Sequence, residues 1–388
     1  MESKSRKKLL FNALRIGVCV AGLYLVVRGV SWSDVATLPD GRTFVGRIAE
    51  DEAADTFSVT ASGAGPVQTL PRTYPPAEGS DKPGKADIHY GLRTTLSQAK
   101  IAVLIAALFV FAPGTFIQGK RFQWMLRAQQ IDIGYWESLK LCYVGNFLNF
   151  AYAIGGTAGD MYKMYCVARH AKRKTESIMS VLLDRVAGLV GLVLLVGVMA
   201  LFTPKLAAFR PVLGGILLAG VVGGFLYFWG PVRRRVPTGL LSRLPKIDYL
   251  RKIDQTACNL VRHRWLTAGA IVSTMLLQVF CTGSYVVTAA ALGFQIPGIG
   301  TVFEFFAYFG TGWVITVIPI SVQGAGAVEL FYVEVFRDYG SVSQILCLAL
   351  AVRVVQIVSS LPGAVLFFLG AHHLPTPQEM EALEGSEG

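Results

Sequence analysis

The sequence is poor in charged residues and lacks soluble-enzyme motifs. Only 16% of its 388 residues are Asp, Glu, Lys or Arg, against about 25% in soluble domains, and 53% are hydrophobic. It contains no Gly-x-Ser-x-Gly, no Walker loop and no His-Glu-x-x-His. Its six cysteines show no Cys-x-x-Cys or Cys/His spacing, so no zinc site is indicated. We therefore expect an integral membrane protein without a cofactor, not a soluble enzyme.

Long apolar runs are present instead. Crossing about 30 Å of hydrocarbon takes about 20 residues, and six runs reach that length: 9–30, 101–119, 178–202, 211–230, 265–292 and 344–370. The first run follows four basic residues but is too long for the core of a signal peptide, so we interpret it as a retained anchor. These runs predict an all-α polytopic membrane bundle of about six spans.

The positive charge is concentrated in a few segments. The net charge is +11, and Lys and Arg number four in 1–8, four in 120–140, four in 169–174 and nine in 233–264. This distribution is typical of cytoplasmic loops. We therefore interpret Lys120 and Arg121 as topology determinants and predict a multi-pass protein of the cell inner membrane with both termini in the cytoplasm. The charge is expected to contact anionic headgroups, not nucleic acid.

Residues 31–98 differ from the rest of the chain. They carry nine acidic and six basic residues and no cysteine. Strand patterns at 35–38, 43–48, 56–60 and 67–70, with a tight turn at Asp40-Gly41, predict a small extracytoplasmic β unit. Residues 73–88 are rich in Pro, Gly and charge and are interpreted as a linker. A disordered external loop is the alternative, because so small a unit buries little core.

Two further apolar segments, 141–158 and 305–322, are rich in glycine. The first lies between two basic segments that are both predicted to be cytoplasmic, and the second enters and leaves on the outside. Irregular backbone at membrane depth must be buried in protein or line a wet cavity. We predict two re-entrant broken helices in an inverted repeat, the arrangement of many transporters. Coincidence among Gly-rich helices is the alternative.

Ionisable residues in these apolar segments are the strongest functional signals. Asp160 precedes Arg185 by 25 residues, and Glu329 precedes Arg353 by 24. Each charge costs about 2.5–3.5 kcal/mol at a helix centre and so needs a partner or a wet cavity. Each pair of charges also has a structural alternative. Asp184 and Arg185 lie near the start of their apolar run, where snorkelling of the side chains to the membrane surface accounts for them. Glu329 and Arg353 are also accounted for by an ion pair that only holds two helices together. In a functional site, an acid would hold a headgroup amine and an arginine would bind its phosphate.

Several motifs resemble the membrane region of the lysylphosphatidylglycerol synthase/flippase family. The resemblance covers roughly residues 100–370. Its motifs are Arg121-x-x-Trp124, the segments 145–149, 155–160, 183–188 and 318–329, Arg353, and Pro362-Gly363. It implies a flippase-like membrane domain at 99–370. The hydropathy, composition and charge patterns described above place an anchor at 1–30, a β unit and linker at 31–98 and a cytoplasmic tail at 371–388.

The resemblance implies translocation of a phospholipid or another polar-headed lipid between leaflets. Synthesis of lysylphosphatidylglycerol needs a further soluble aminoacyltransferase domain and is not expected of these 388 residues. The polar pathway is expected to comprise Asn149, Asp160, Arg185, Gly324, Gly326, Glu329 and Arg353. Partners are membrane lipids with anionic or amine-bearing headgroups, and the oligomeric state stays open. The alternatives are a non-catalytic assembly protein that docks through 31–98, and the membrane subunit of a lipid-modifying enzyme.

Overall fold

The computed structural model describes most of the chain between residues 30 and 369. The described ranges are 30–51, 54–60, 67–74, 84–151, 158–170, 174–201, 203–204, 262–317 and 324–369, with isolated positions in 17–28 and 211–222. The predicted spans 9–30 and 211–230 therefore lie almost wholly outside the described residues. The predicted tail at 371–388 lies entirely outside them.

The first described residues form a small antiparallel sheet. Its strands are β1 Asp34–Thr37, β2 Thr43–Asp51, β3 Thr56–Thr60, β4 Val67–Pro71 and β7 Asp87–His89, in the order β4-β3-β2-β1-β7. Alternate residues of these strands face one side, as the pleat requires. Ala36, Ile48, Phe57 and Val59 of these strands form a core with Leu38 and Ala86, which lie next to strand ends. The four predicted strands are thus confirmed.

The interpretation of residues 73–88 as a linker is wrong in part. Two-residue strands β5, Thr73–Tyr74, and β6, Gly84–Lys85, pair with each other. Strand β7 completes the larger sheet by pairing with β1, with Ile88 opposite Ala36. Local composition shows turn-forming residues, but it does not show a pairing with a strand some fifty residues earlier.

A buried carboxylate joins this sheet to helix α1, Leu92–Gln98. Asp34 is fully buried, and its Oδ2 accepts hydrogen bonds from the Ile48 N–H at 2.8 Å and the Thr94 hydroxyl at 2.9 Å. Its Oδ1 accepts the Gly91 N–H at 2.8 Å. A buried charge is tolerated when its lone pairs are used in this way. The sheet is therefore fixed to the residues that lead into the membrane helices.

Within the ranges that the structure describes, four helices are long and apolar enough to cross a membrane. They are α2 Ile101–Ala128, α5 Lys174–Leu201, α6 Arg264–Ala291 and α9 Val342–Leu369. Each has 28 residues, or about 42 Å at 1.5 Å per residue, which exceeds the hydrocarbon thickness. Four of the six predicted spans are therefore helices of sufficient length.

Shorter helices flank both predicted breaks. In the first half these are α3 Tyr135–Ala151 and α4 Ala158–His170, and in the second half α7 Ile299–Val317 and α8 Ala327–Phe336. In each case one helix ends and another begins near the predicted glycines. The connecting residues 152–157 and 318–323 lie outside the described residues.

The chain divides into two units. Unit 1 comprises Met1–Ala106, Val287–Pro297 and Gly324–Val354, and unit 2 comprises Ala107–Val286, Gly298–Gln323 and Val355–Gly388. Within unit 1, hydrogen bonds join the start of the sheet to the start of α9, because the Ser31 N–H donates to the Ser343 hydroxyl at 3.0 Å. Within unit 2, α3 packs on α4, α4 on α5, and α5 on α7.

Candidate functional site

The seven residues predicted for the polar pathway fall into two groups, one in each unit. Unit 1 contains Gly324, Gly326, Glu329 and Arg353, and unit 2 contains Asn149, Asp160 and Arg185. Each group contains one carboxylate–arginine ion pair. Each pair also lies beside the start of a short helix, α8 in unit 1 and α4 in unit 2.

In unit 1, Glu329 binds Arg353 and caps its own helix. Its Oε1 accepts hydrogen bonds from Nε and Nη2 of Arg353 at 3.1 and 2.6 Å, and its Oε2 accepts the Gly326 N–H at 2.7 Å. Gly326, the residue before α8, has a φ of 81°, a left-handed conformation that favours glycine. Gly324, with a φ of 74°, lies in the same turn. These glycines therefore set the turn that orients Glu329.

In unit 2, Asp160 lies in the first turn of α4 and pairs with Arg185 of α5. Asn149 of α3 contributes through its side-chain oxygen, which accepts the N–H of Gly159 at 2.8 Å. That bond satisfies one of the free N–H groups at the start of α4. The structure therefore brings Asn149, Asp160 and Arg185 together around the N-terminus of α4.

Helices α3 and α4 approach closely because glycines face each other. A Cβ at Gly159 would overlap the backbone carbonyl of Gly145. Small residues allow such approaches between membrane helices. Gly159 therefore determines where Asp160 lies relative to α3.

The same pattern of exposure recurs in the two pairs. The side chains of Glu329 and Asp160 are 4% and 11% exposed, whereas those of Arg353 and Arg185 are 30% and 47% exposed. Within the described residues, Nη1 of Arg353 donates to no protein atom. In each unit a buried carboxylate therefore fixes an arginine whose charge is the accessible part of the pair.

Arg121 was not among the predicted site residues, yet it is one of the most buried charges in unit 2. Its Nε and Nη2 donate to the two carboxylate oxygens of Asp184 at 3.0 and 2.8 Å, and its Nη1 donates to the Thr274 hydroxyl at 3.3 Å. The side chains of Arg121 and Asp184 are 9% and 7% exposed. The burial of Asp184 does not fit the snorkelling alternative, and Arg121 has a structural partner beside its predicted role as a topology determinant. The Arg121-x-x-Trp124 motif was the signal for this residue.

Lys163 is a second buried cation that sequence reasoning missed. It lies one turn after Gly159 on α4, is 4% exposed, and places Nζ 5.4 Å from the centre of the Phe122 ring. Its spacing from Asp160 on α4 was the available signal, because residues three apart share a helix face.

Across the described ranges, no cluster of three or more His, Cys, Asp or Glu has the arrangement of a metal site.

Comparison with protein families agrees with the motif-based resemblance. The family model described as the lysylphosphatidylglycerol synthase TM region matches residues 90–363, which is more than half of the chain. The chain belongs to this family. Membership in the lysylphosphatidylglycerol synthase TM region family and the apolar helices identify an integral membrane protein in lipid handling. The family match begins after β7, so the sheet lies outside it. No curated protein matched the chain.

Proposed function

We propose that this protein translocates a phospholipid or another polar-headed lipid between the leaflets of the cell inner membrane. The observation that carries the proposal is the repeated ion pair. In each unit, a buried carboxylate beside a glycine-containing helix start holds a partly exposed arginine. Charges in membrane segments cost free energy and usually serve a partner, a substrate or a proton path. Family membership supports lipid as the substrate.

The physical obstacle to lipid exchange is the headgroup. A charged or strongly hydrogen-bonding headgroup must leave water and pass an apolar layer about 30 Å thick. Fixed charges along the way replace part of its hydration, while the acyl tails stay in the bilayer. A pathway of this kind needs polar side chains on the membrane helices but no continuous pore.

The proposal includes the topology read from the charge distribution. Both termini and the basic segments at 120–140, 169–174 and 233–264 would be cytoplasmic, and the segments at 141–160 and 305–329 would be re-entrant. Single cysteines introduced into a cysteine-free variant of the full chain test this in intact cells. A cysteine near position 171 should resist an impermeant maleimide. Labelling from outside would mean that 141–158 crosses the membrane and that there is no inverted repeat.

One observation favours an additional docking function for the sheet. The family match starts at residue 90, after the sheet, and Asp34 ties the sheet to the matched region. A sheet that lies outside the family match and is fixed to the membrane region is suited to bind a partner protein in an assembly. If deletion of 31–89 leaves lipid exchange intact but releases a co-purifying protein, the sheet is a docking module.

Reconstitution tests translocation directly. The purified chain would be placed in vesicles that contain fluorescent phospholipids with anionic, zwitterionic and amine-bearing headgroups, and leaflet exchange would be followed by quenching of the outer leaflet. We expect faster exchange than in protein-free vesicles for at least one headgroup. Exchange equal to that of protein-free vesicles for all headgroups would contradict translocation and favour the assembly function.

A further inference from the structure

Two large apolar side chains are exposed beside α1, away from both ion pairs of the candidate site. Trp32 is 73% exposed and Leu96 is 60% exposed. The Trp32 carbonyl accepts the Arg93 N–H at 3.4 Å, so Trp32 lies beside the first turn of α1. Leu96 follows Arg93 by three residues and shares its side of the helix. Since large apolar side chains exposed close together mark a contact surface, this part of the molecule is expected to bind something.

The two sides of α1 differ in their surroundings. Thr94 and Thr95 are buried, and the Thr94 hydroxyl donates to Asp34 of the sheet. Arg93 and Leu96 project from the opposite side, because each residue of an α-helix turns by about 100°. Both are exposed. The sheet therefore covers one side of α1 and leaves the other side available for a contact.

Helix α2 shows where the hydrocarbon layer begins relative to α1. Residues 101–119 contain no ionisable side chain, and at about 1.5 Å per residue they extend about 28 Å, close to the hydrocarbon thickness of about 30 Å. Ile101 and Ile105, one turn apart, are 71% and 49% exposed, as lipid-facing residues would be. The edge of the hydrocarbon therefore lies at about Ile101.

Helix α1 consequently lies at the level of the lipid headgroups. Ala99 and Lys100 alone separate it from α2, so its end lies within about 11 Å of Ile101. Tryptophan is enriched at this level because its ring is apolar and its N–H is polar. The exposed Arg93 and Lys100 add positive charge there, which complements anionic headgroups.

We propose that Trp32, Arg93, Leu96 and Lys100 form an interfacial face that holds the sheet on the lipid headgroup layer at the start of α2. Trp32 and Leu96 enter this layer, and Arg93 and Lys100 contact anionic headgroups. The lipids concerned are those of the surrounding bilayer, so the inference does not depend on translocation. Because Asp34 fixes the sheet to α1, the sheet is held at the membrane surface and not on a free stalk.

Tryptophan fluorescence of the full chain in phospholipid vesicles tests the proposal. One variant keeps Trp32 as its single tryptophan, with the others replaced by Phe. The matched control lacks all native tryptophans and carries Thr43→Trp. Thr43 is exposed and pairs with Thr37, at the end of β1 away from Trp32. The quenchers are iodide in the water and phosphatidylcholine brominated at either a shallow or a deep acyl position.

We expect the shallow brominated lipid to quench Trp32 more strongly than the deep one, and iodide to quench Thr43→Trp far more than Trp32. Quenching of Trp32 by iodide as strong as in the control would overturn the proposal and leave this face to a protein partner. Protection of Trp32 from all three quenchers would overturn it in favour of a second copy of the chain. Stronger quenching by the deep lipid, or equal lipid quenching of the two variants, would overturn the assignment to the headgroup layer.

A second measurement needs only single replacements if the single-tryptophan variant does not fold. The difference in emission between wild type and Trp32→Phe reports on Trp32, and it should be lost when the shallow brominated lipid is present. A difference that is insensitive to this lipid and sensitive to iodide contradicts the proposal.

The two charges are tested with brominated phosphatidylglycerol mixed into phosphatidylcholine vesicles. Its enrichment near Trp32 should fall about fivefold for each charge removed in Arg93→Gln and Lys100→Gln. The control Arg42→Gln, at an exposed arginine that pairs with Asp40, should keep the wild-type enrichment. Unchanged enrichment in the double variant would overturn the role of the charges. Quenching requires no leaflet exchange, so failure of translocation and failure of the interfacial face are separate results.

Discussion

The buried pair between Arg121 and Asp184 gives the sharpest stability prediction. In the variant Arg121→Met, the Asp184 carboxylate loses both of its hydrogen bonds to the guanidinium while it stays buried. At about 1.5–3 kcal/mol for each charge-assisted hydrogen bond, the loss is about 3–6 kcal/mol. Breaking one side of a buried ion pair typically costs about 3–5 kcal/mol. We therefore expect a free energy of unfolding about 3–5 kcal/mol lower than that of wild type.

The double variant Arg121→Met/Asp184→Leu removes both charges and should recover most of this loss, since an apolar replacement of a buried pair is often neutral. The control is Arg127→Met in the same helix. Arg127 is 47% exposed and 3.6 Å from Asp132, so its loss should change stability by less than about 1 kcal/mol.

Reversible unfolding in mixed detergent micelles, followed by circular dichroism, measures all four proteins. The reasoning would be refuted if Arg121→Met unfolded within about 1 kcal/mol of wild type, or if the double variant were no more stable than the single one.

Two further predictions concern the sheet and the helix crossing. Asp34→Ala removes the acceptor of the Ile48 and Gly91 N–H groups. These two amides should therefore exchange with deuterium at least about tenfold faster than in wild type, as measured by NMR or mass spectrometry. Unchanged protection of both amides would refute the role of Asp34. Gly159→Ala places a methyl group against the α3 backbone and should lower the midpoint of thermal unfolding, whereas Gly134→Ala, where nothing lies within 4 Å, should not. Equal midpoints for the two variants would contradict the close crossing.

Much of the fold was predictable from local patterns. The long apolar runs predict α2, α5, α6 and α9, because length and hydropathy are properties of a single segment. The alternation in β1 to β4 predicts the sheet for the same reason. Strand β7 was missed because its partner β1 lies far away in sequence, and pairing at that separation leaves no local signal.

The candidate site was predictable only in part. Glycines and intramembrane charges identify Glu329 and Arg353, since a charge in an apolar run is conspicuous. The burial of Arg121 was not predicted, because the residue follows Lys120 at the end of an apolar run, where basic residues ordinarily mark the cytoplasmic side. Its burial arises because α2 continues to Ala128 and packs there against other helices. That is tertiary information which a hydropathy pattern does not contain.

Leaflet exchange by charge variants in reconstituted vesicles is the most direct measurement of the proposed pathway. Arg353→Met and Glu329→Gln should each slow phospholipid exchange about tenfold or more, because each removes a charge-assisted interaction of the unit 1 pair. Arg337→Met, which removes a 67% exposed arginine just after α8, is the control and should exchange lipid at the wild-type rate. If wild type exchanges phospholipid faster than protein-free vesicles and both pair variants match it, the Glu329–Arg353 pair has no part in translocation.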